Sequence, residues 1–393
     1  MKTQNPASST AFTRPNGARP RIFAAVAVGS IALATTALGL GGGCNDIDTE
    51  DDGDGAVPAT VALSSSQCQS CLIKAGKLTC WGDTPGDVTG GTPREVTLAG
   101  YPTMVAVAPD HVCALVKDKG VYCWGQNDTG QLGVAIPDPD PAMVLKQPQK
   151  SGIPSIATGL SAGTGFTCAI VNGTVKCMGG NIEGTLGNGD FSRSVDPIAV
   201  PGLATITEIG SGYAHTCALD SVGDTYCWGA NDNGQSGQDK NDEYTLDHAV
   251  KVAIPKASRL MIGWETSCAF TDDGLYCWGR NNSGQFGDMN PNDGLPRKVA
   301  LDGYLDIKPG ASRTFGLRQT GTVDYWGLEL LPMGEPISPS GISGVNNVSL
   351  ISAGSNHGCG VTGGNVYCWG DNTCHQLGGV TGDIFDVAVL INL

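Results

Sequence analysis

One short pattern, met seven times, limits what this chain can become. Residues 113–133 read CALVKDKGVYCWGQNDTGQLG, and near-copies stand at 217–237 (CALDSVGDTYCWGANDNGQSG) and 268–287 (CAFTDDGLYCWGRNNSGQFG). Cys113 and Leu115 fall in one β-prone run, Val121 and Cys123 in a second, and residues 117–120 supply a turn between them. That is the signature of a hairpin, with glycines punctuating the loop that leaves it. The residue after the second cysteine marks each copy: Trp81, Trp124, Met178, Trp228, Trp278, Trp326 and Trp369, each followed by Gly. Their separations are 43, 54, 50, 50, 48 and 43 residues. A fixed period of this length means a repeat architecture, a conclusion that outranks any local assignment.

Each unit carries further strand signals, such as residues 206–212 and 348–354, and no helical periodicity. Four strands per 43–54 residues, seven times over, is the arithmetic of a β-propeller, which closes radially and leaves only short edges. The expected fold is therefore all-β, a seven-bladed propeller over residues 59–393. The recurring G-x-x-H-x-C-A-L and Y-C-W-G-x-N-x-x-G-Q-L-G resemble the regulator of chromosome condensation repeat, whose members form seven-bladed propellers. Blade three departs with Met178 and Thr185, and blades one (WGDTPGDVTGG) and six (WGLELLPMG) lack the loop motif after the Trp. Family members close the ring by letting one terminus complete the blade begun by the other. The apolar tail at 385–393 suits that role toward blade one.

Fifteen cysteines are too many for a reduced cytosolic chain unless they bind metal. Their spacing favours staples. Cys71 with Cys80, Cys113 with Cys123, Cys168 with Cys177, Cys217 with Cys227, Cys268 with Cys277 and Cys359 with Cys368 each flank one hairpin turn, nine or ten residues apart. Facing positions on antiparallel strands lie within disulfide reach. In blade six Phe315 and Tyr325 hold the matching positions, so both cysteines are lost together, as a bonded pair requires. Cys68 and Cys374 remain, at the start of blade one and in the exit loop of blade seven, and are expected to form a seventh bond across the closure. The rival reading of Cys68-Gln-Ser-Cys71 as a redox or metal C-x-x-C lacks a second pair at zinc spacing.

The N-terminal part is of a different kind. Residues 1–21 carry Lys2, Arg14, Arg19 and Arg21 without any acid, and 22–40 (IFAAVAVGSIALATTALGL) are apolar or small. These are the parts of a secretory signal. The run is also long enough to span a bilayer, so an uncleaved anchor is the alternative. Gly41-Gly42-Gly43-Cys44 resembles the lipobox of bacterial lipoproteins, with Gly41 where that motif carries Leu and Leu40 one place upstream. The resemblance implies a signal peptide over 1–43 and lipidation of Cys44, which places the chain in the cell envelope outside the cytoplasm. Residues 44–58 are acidic and nearly devoid of apolar side chains, a solvated tether. Asp48, Glu50, Asp52 and Gly53 have a calcium-loop spacing, but Ala59 stands where the bidentate Glu belongs.

Without residues 1–43 the chain has 19 basic and 38 acidic residues, a surface that repels phosphate backbones and anionic lipid. Nucleic acid is thus disfavoured as a partner, and the same charge also serves solubility. His111, His215 and His357 each lie two residues before a hairpin cysteine, so they are repeat residues, expected to hydrogen-bond within their blades. His248 and His375 are isolated, and no G-x-S-x-G, H-E-x-x-H or phosphate-binding glycine loop stands in a suitable context. No catalytic, cofactor or metal residue is assigned. Trp264, aligned with Tyr213 of blade four, stands alone, unlike the tryptophan cluster of the plant ultraviolet-B photoreceptor branch. Relatives of this kind serve as nuclear exchange factors, β-lactamase inhibitor proteins or interaction platforms, and fold does not choose among them. The reading adopted is a lipid-anchored, monomeric, non-catalytic module that binds a protein or envelope polymer. The alternative is an extracellular enzyme or inhibitor using rim acids such as Asp138, Asp140, Asp239 and Asp242. Specificity is expected in the rim stretches 134–155, 188–201 and 238–248.

Overall fold

The computed structural model describes residues 61–83, 91–136, 143–290, 294–328 and 338–393, together with the short paired strands Leu40–Gly41 and Asn45–Asp46. Cys44, residues 22–39 of the apolar run and most of the acidic stretch lie outside the described residues. Seven four-stranded antiparallel sheets follow, over residues 62–96, 102–150, 157–199, 206–251, 257–298, 304–341 and 350–391. Blade four shows the pattern: Ile206–Ser211, His215–Asp220, Thr225–Ala230 and Thr245–Lys251, each paired with the next. The first strands of neighbouring blades touch one another around the ring, including blade seven against blade one. They therefore line the axis.

The repeat pattern explains the local structure. In each stapled blade the cysteines face each other across the second and third strands. Cys71 stands opposite Cys80, Cys113 opposite Cys123 and Cys168 opposite Cys177. Cys217 likewise faces Cys227, Cys268 faces Cys277, and Cys359 faces Cys368. All seven predicted pairs lie at disulfide-bonding distance, the six hairpin pairs with Cα atoms 4.0–4.1 Å apart. In blade six Phe315 faces Tyr325, and the Arg313 guanidinium lies 5.3 Å from the Tyr325 ring centre. The glycine after each marker residue has φ between 89° and 113°. A Cβ there would fall 2.1–2.5 Å from a backbone oxygen of the turn between the first two strands. Only glycine fits, which is why the Trp-Gly pair never varies in its second member.

The core is not central but divided among the joints. Seven apolar clusters form, each shared by two adjacent blades. One unites Leu63, Leu72 and Trp81 of blade one with Val361, Leu377 and Ile391 of blade seven.

Closure differs from the expectation drawn from the family. The tail strand Ile384–Ile391 pairs with Asn365–Gly370 and completes its own blade seven. Blade one takes Ala62–Ser65 as its first strand and Arg94–Val96 as its fourth, so neither terminus crosses over. The physical reason is register: residues 61–65 already supply the axial strand that blade one needs. The ring is shut instead by side-to-side contacts. Cys68 reaches Cys374 with Cα atoms 5.2 Å apart, Asp83 N donates to Cys374 O at 2.9 Å, and His375 Nδ1 lies 2.9 Å from Asp83 Oδ2.

Candidate binding surface

The motif residues are consumed at the joints. In blades two, four, five and seven the exit loop is held by its own Asn and Gln. Asn127 Oδ1 accepts from Leu132 N and Gln131 Oε1 from Thr129 N, and Asn281 and Gln285 repeat the arrangement in blade five. The loop then offers one backbone carbonyl to the next blade. Trp228 Nε1 donates to Thr185 O, Trp278 to Gln235 O, Trp326 to Gln285 O and Trp81 to Gln376 O, at 2.9–3.1 Å. A hydroxyl on the receiving blade often donates to the same carbonyl: Thr167 to Gln131 O, Ser267 to Gln235 O, Thr314 to Gln285 O.

The three motif histidines do not bond only within their blades, as the sequence reading expected; they bridge to the next one. His111 Nε2 meets Thr167 Oγ1 at 2.7 Å, His215 Nε2 meets Ser267 Oγ at 2.8 Å, and His357 Nε2 meets Ser70 Oγ at 2.9 Å. Geometry forces this, because a side chain on a sheet face points at the neighbouring sheet. Burial holds the His215 ring down to a pKa of about 3 and His357 to about 4, so both stay neutral. His111 differs: its Nδ1 lies 2.9 Å from Asp110 Oδ1. Burial alone would raise the Asp110 carboxyl, but the charge and hydrogen bond of His111 and a bond from Gln131 hold it below its usual value. These groups are structural ties.

Two joints lack the loop motif, and there the packing changes. At the joint of blades six and seven the Trp369 indole N–H is buried without an acceptor among the described residues. At the joint of blades one and two Trp124 is 8% exposed, against 0–1% for the other five marker tryptophans. Beside it runs a cleft of about 290 Å³, lined by Gln69, Arg94, Val112, Trp124, Lys146 and Gln147 among others.

The cysteines, the residues most conspicuous in the sequence, contribute almost nothing to this opening. Cys80 alone of them borders the cleft. Cys168 and Cys177 are sealed within the joint of blades three and four, Cys268 and Cys277 within that of blades five and six, and Cys359 and Cys368 within that of blades seven and one. Cys71, Cys113, Cys123, Cys217 and Cys227 are buried in the same manner. The hairpin cysteines lie in the wall of the ring, whereas Cys68 and Cys374 are half-buried at the closure.

In an up-and-down blade the first and third connections emerge at one end. That end therefore carries the described exit loops and the turns around the axis. The turns are linked by Thr164 N to Tyr213 O, Tyr213 N to Trp264 O, and Ala311 N to Ser355 O. Tyr213 and Trp264, aligned in sequence, stack with centroids 4.7 Å apart at the axial opening. Farther out, the adjoining loops of blades three and four expose Ile182 (83%), Phe191 (50%) and Tyr244 (69%). Gly189 N donates to Asp247 O and Asn188 pairs with His248, so these loops are fastened to each other.

The rim stretches are partly strand. Val144–Lys150, Ser194–Ala199 and Thr245–Lys251 are the fourth strands of blades two, three and four. Their irregular registers hid them from period-two reading. Asp138 and Asp140 lie outside the described residues, while Asp239 Oδ1 is spent on Asn241 N and Nδ2. Among the described residues no three His, Cys, Asp or Glu side chains converge as a metal site, and no helix is long and apolar enough to cross a membrane.

Radial blades, a shared joint and a glycine fixed behind each tryptophan define a propeller built from one repeated hairpin-and-loop unit. The RCC1-like domain family model matches residues 74–390, and the chain belongs to that family. Human HERC2, an E3 ubiquitin-protein ligase, is 26% identical over 368 residues, covering 86% of this chain but 8% of HERC2. The ultraviolet-B receptor UVR8 of Arabidopsis thaliana is 28% identical over 229 residues, 54% of this chain and half of the receptor. The chain thus spans only part of the curated relatives it matches. Among solved structures, yeast RCC1 (Prp20) bound to Kap60 shares the fold with a TM-score of 0.70 at 21% identity, over 95% of this chain and 91% of that one. Human WBSCR16 follows at 0.65 and 20%, over 80% and 89%.

Proposed function

We propose that this chain is a lipid-anchored cell-envelope propeller that binds a protein partner through its exit-loop face and catalyses nothing. The observation that carries the reading is the division of labour among side chains. The conspicuous polar residues of the repeat are buried and spent on joints, whereas Ile182, Phe191 and Tyr244 stand exposed on loops fastened to a rigid ring. Exposed apolar and aromatic side chains on a preformed scaffold are what a partner's surface buries. Relatives of the same fold are described by what they bind: Prp20 of Saccharomyces cerevisiae by Gsp1p and histones, and again by Kap60. Histones and nucleic acid do not suit this chain's location as we read it. Cys44 behind an apolar run, an acidic tether and seven cysteine pairs at bonding distance fit an oxidising compartment beyond the cytoplasm.

The test is crosslinking and capture from the native envelope. The full chain should recover one reproducible protein partner, and the triple substitution Ile182→Ser, Phe191→Ser, Tyr244→Ser should lose it while the protein keeps its melting temperature. Equal capture by the triple variant would overturn the assignment of the face. Recovery of no protein from intact envelopes would overturn the function.

A further inference from the structure

The outer edge of each blade is a strand with one side left to pair, and six of the seven blades blunt it. In blades one, five and six the fourth strand is two or three residues long. Blades two and three carry Pro148 and Pro197 there, and blade four carries Asp247 and Lys251. Short length, proline and charge are the devices by which an edge resists pairing with another chain. Blade seven is the exception. Its strand Ile384–Ile391 is the longest of the described strands at eight residues, reads IFDVAVLI, and has Asp386 as its one charge. Val387 is 43% exposed and Leu390 45%. The edge is already used once: Ser343 bridges to it in parallel, donating its N–H to Asp386 O at 2.8 Å and accepting from Ala388 N at 2.9 Å. That bridge is one residue long, since Gly344 follows with a left-handed φ of 81° and Val345 is buried in the joint of blades six and seven. Beyond it the register is regular, with Val389, Leu390 and Ile391 opposite Cys368, Tyr367 and Val366. Because Ala388 N points out of the sheet to Ser343, the backbone groups of Leu390, two residues on, point out as well.

We propose that this edge, from Ala388 onward, receives an extended strand of a partner protein as a fifth strand of blade seven. Main-chain hydrogen bonds to Leu390 would hold such a guest, and the apolar side chains of the strand would be covered by it. The occupant's charge follows from the sequence. Between Arg318 and Leu393 there is no Lys or Arg, and blade seven carries Asp371, Asp383 and Asp386. A guest strand of apolar residues flanked by Lys or Arg complements that field. A second copy of this chain would instead bring the same acids edge to edge, and each copy already carries 38 acidic residues against 19 basic ones beyond residue 43. The edge belongs to blade seven, whereas Ile182, Phe191 and Tyr244 belong to loops of blades three and four. It therefore gives the proposed binding module a second contact, read independently of the exit-loop patch.

The probe is the peptide Lys-Val-Thr-Val-Ile-Val-Lys with its valine amides N-methylated, which leaves one edge to pair and keeps the peptide from stacking on itself. The control is methylated at Thr and Ile as well, so it keeps every apolar side chain and loses the pairing edge. Each is titrated into the full chain while backbone amide exchange is followed residue by residue. The Leu390 N–H should exchange freely in the chain alone, slow saturably with the probe, and ignore the control. Leu390→Pro deletes that outward N–H without touching the ladder to Asn365–Gly370. It should keep the melting temperature and weaken the probe by the about 2- to 12-fold that one net hydrogen bond supplies. The two peptides decide the matter alone if that variant does not fold. Equal slowing by the control, or no slowing at millimolar probe, overturns the proposal. A Leu390 amide already slow in the dilute chain would give the edge to another segment of this chain, and slowing that grows with protein concentration would give it to a second copy; either overturns it. None of these readings needs an envelope partner, so capture through the exit-loop face can fail without deciding this one.

Discussion

Removing the bond between Cys68 and Cys374 should cost more than removing any hairpin staple, although it holds fewer buried atoms. The closure pair spans 306 residues, against nine or ten for each hairpin pair. On the chain-entropy model a loop that long is worth about 5–6 kcal/mol, and a ten-residue loop about 2.5–3 kcal/mol. The six shorter staples shrink the effective loop, but the dependence is logarithmic and the closure value barely moves. The comparison is Cys68→Ser/Cys374→Ser against Cys217→Ala/Cys227→Ala, by guanidinium unfolding without reductant. The hairpin cysteines are fully buried, so their replacement also removes packing, which biases the test against the prediction. The closure variant should nevertheless show the larger fall in midpoint, by the equivalent of about 2 kcal/mol or more. If the hairpin variant falls as far, the ring is held shut by Trp81, Asp83 and His357 contacts, and chain entropy is not what the seventh pair contributes.

Acid should loosen the ring through its neutral histidines. His215 and His357 are held at about 3 and 4 in the fold but titrate near 6.5 when unfolded. The unfolded chain therefore binds more protons between those values, and stability is complete above about pH 6.5 and falls below it. Between pH 6 and 5 the pair should remove roughly 2–3 kcal/mol per pH unit, and His215→Gln should halve that slope in midpoint-versus-pH measurements. Trp369→Phe, which deletes an N–H that has no acceptor among the described residues, should cost about 1–2 kcal/mol less than Trp278→Phe, which deletes one bonded to Gln235 O. Thermal unfolding of the two single variants decides it. In the envelope, Cys44→Ser should abolish incorporation of labelled palmitate and shift the protein from the membrane to the soluble fraction; unchanged labelling would remove the lipoprotein reading.

The scaffold was legible because each of its parts recurs. Seven Trp-Gly or Met-Gly markers give the blade number, and the joint loss of two cysteines at Phe315 and Tyr325 gives the pairing rule before any coordinates are seen. The direction of the histidine bonds was not legible: strand alternation places His215 on a face but does not say that Ser267, fifty-two residues on, stands opposite. The closure was misjudged for a related reason, since residues 61–65 look too short to be a strand until the neighbouring hairpin gives them a register. The cleft had a signal that could have been used. Val112 and Gly358 are the two receiving positions without a hydroxyl, and they follow the two blades that lack the loop motif, whereas Ser70, Thr167, Thr216, Ser267 and Thr314 follow blades that have it. Within one chain, the wall has changed wherever the preceding blade lacks the loop motif.

The Cys68–Cys374 bond also alters what a pull on this molecule would do. Val61 stands seven residues before Cys68, and Leu393 nineteen after Cys374. Tension applied between the two ends of the propeller would run along that short covalent shunt and bypass the other six joints. A ring held in this way can be dragged by a tether without its blades being peeled apart in sequence.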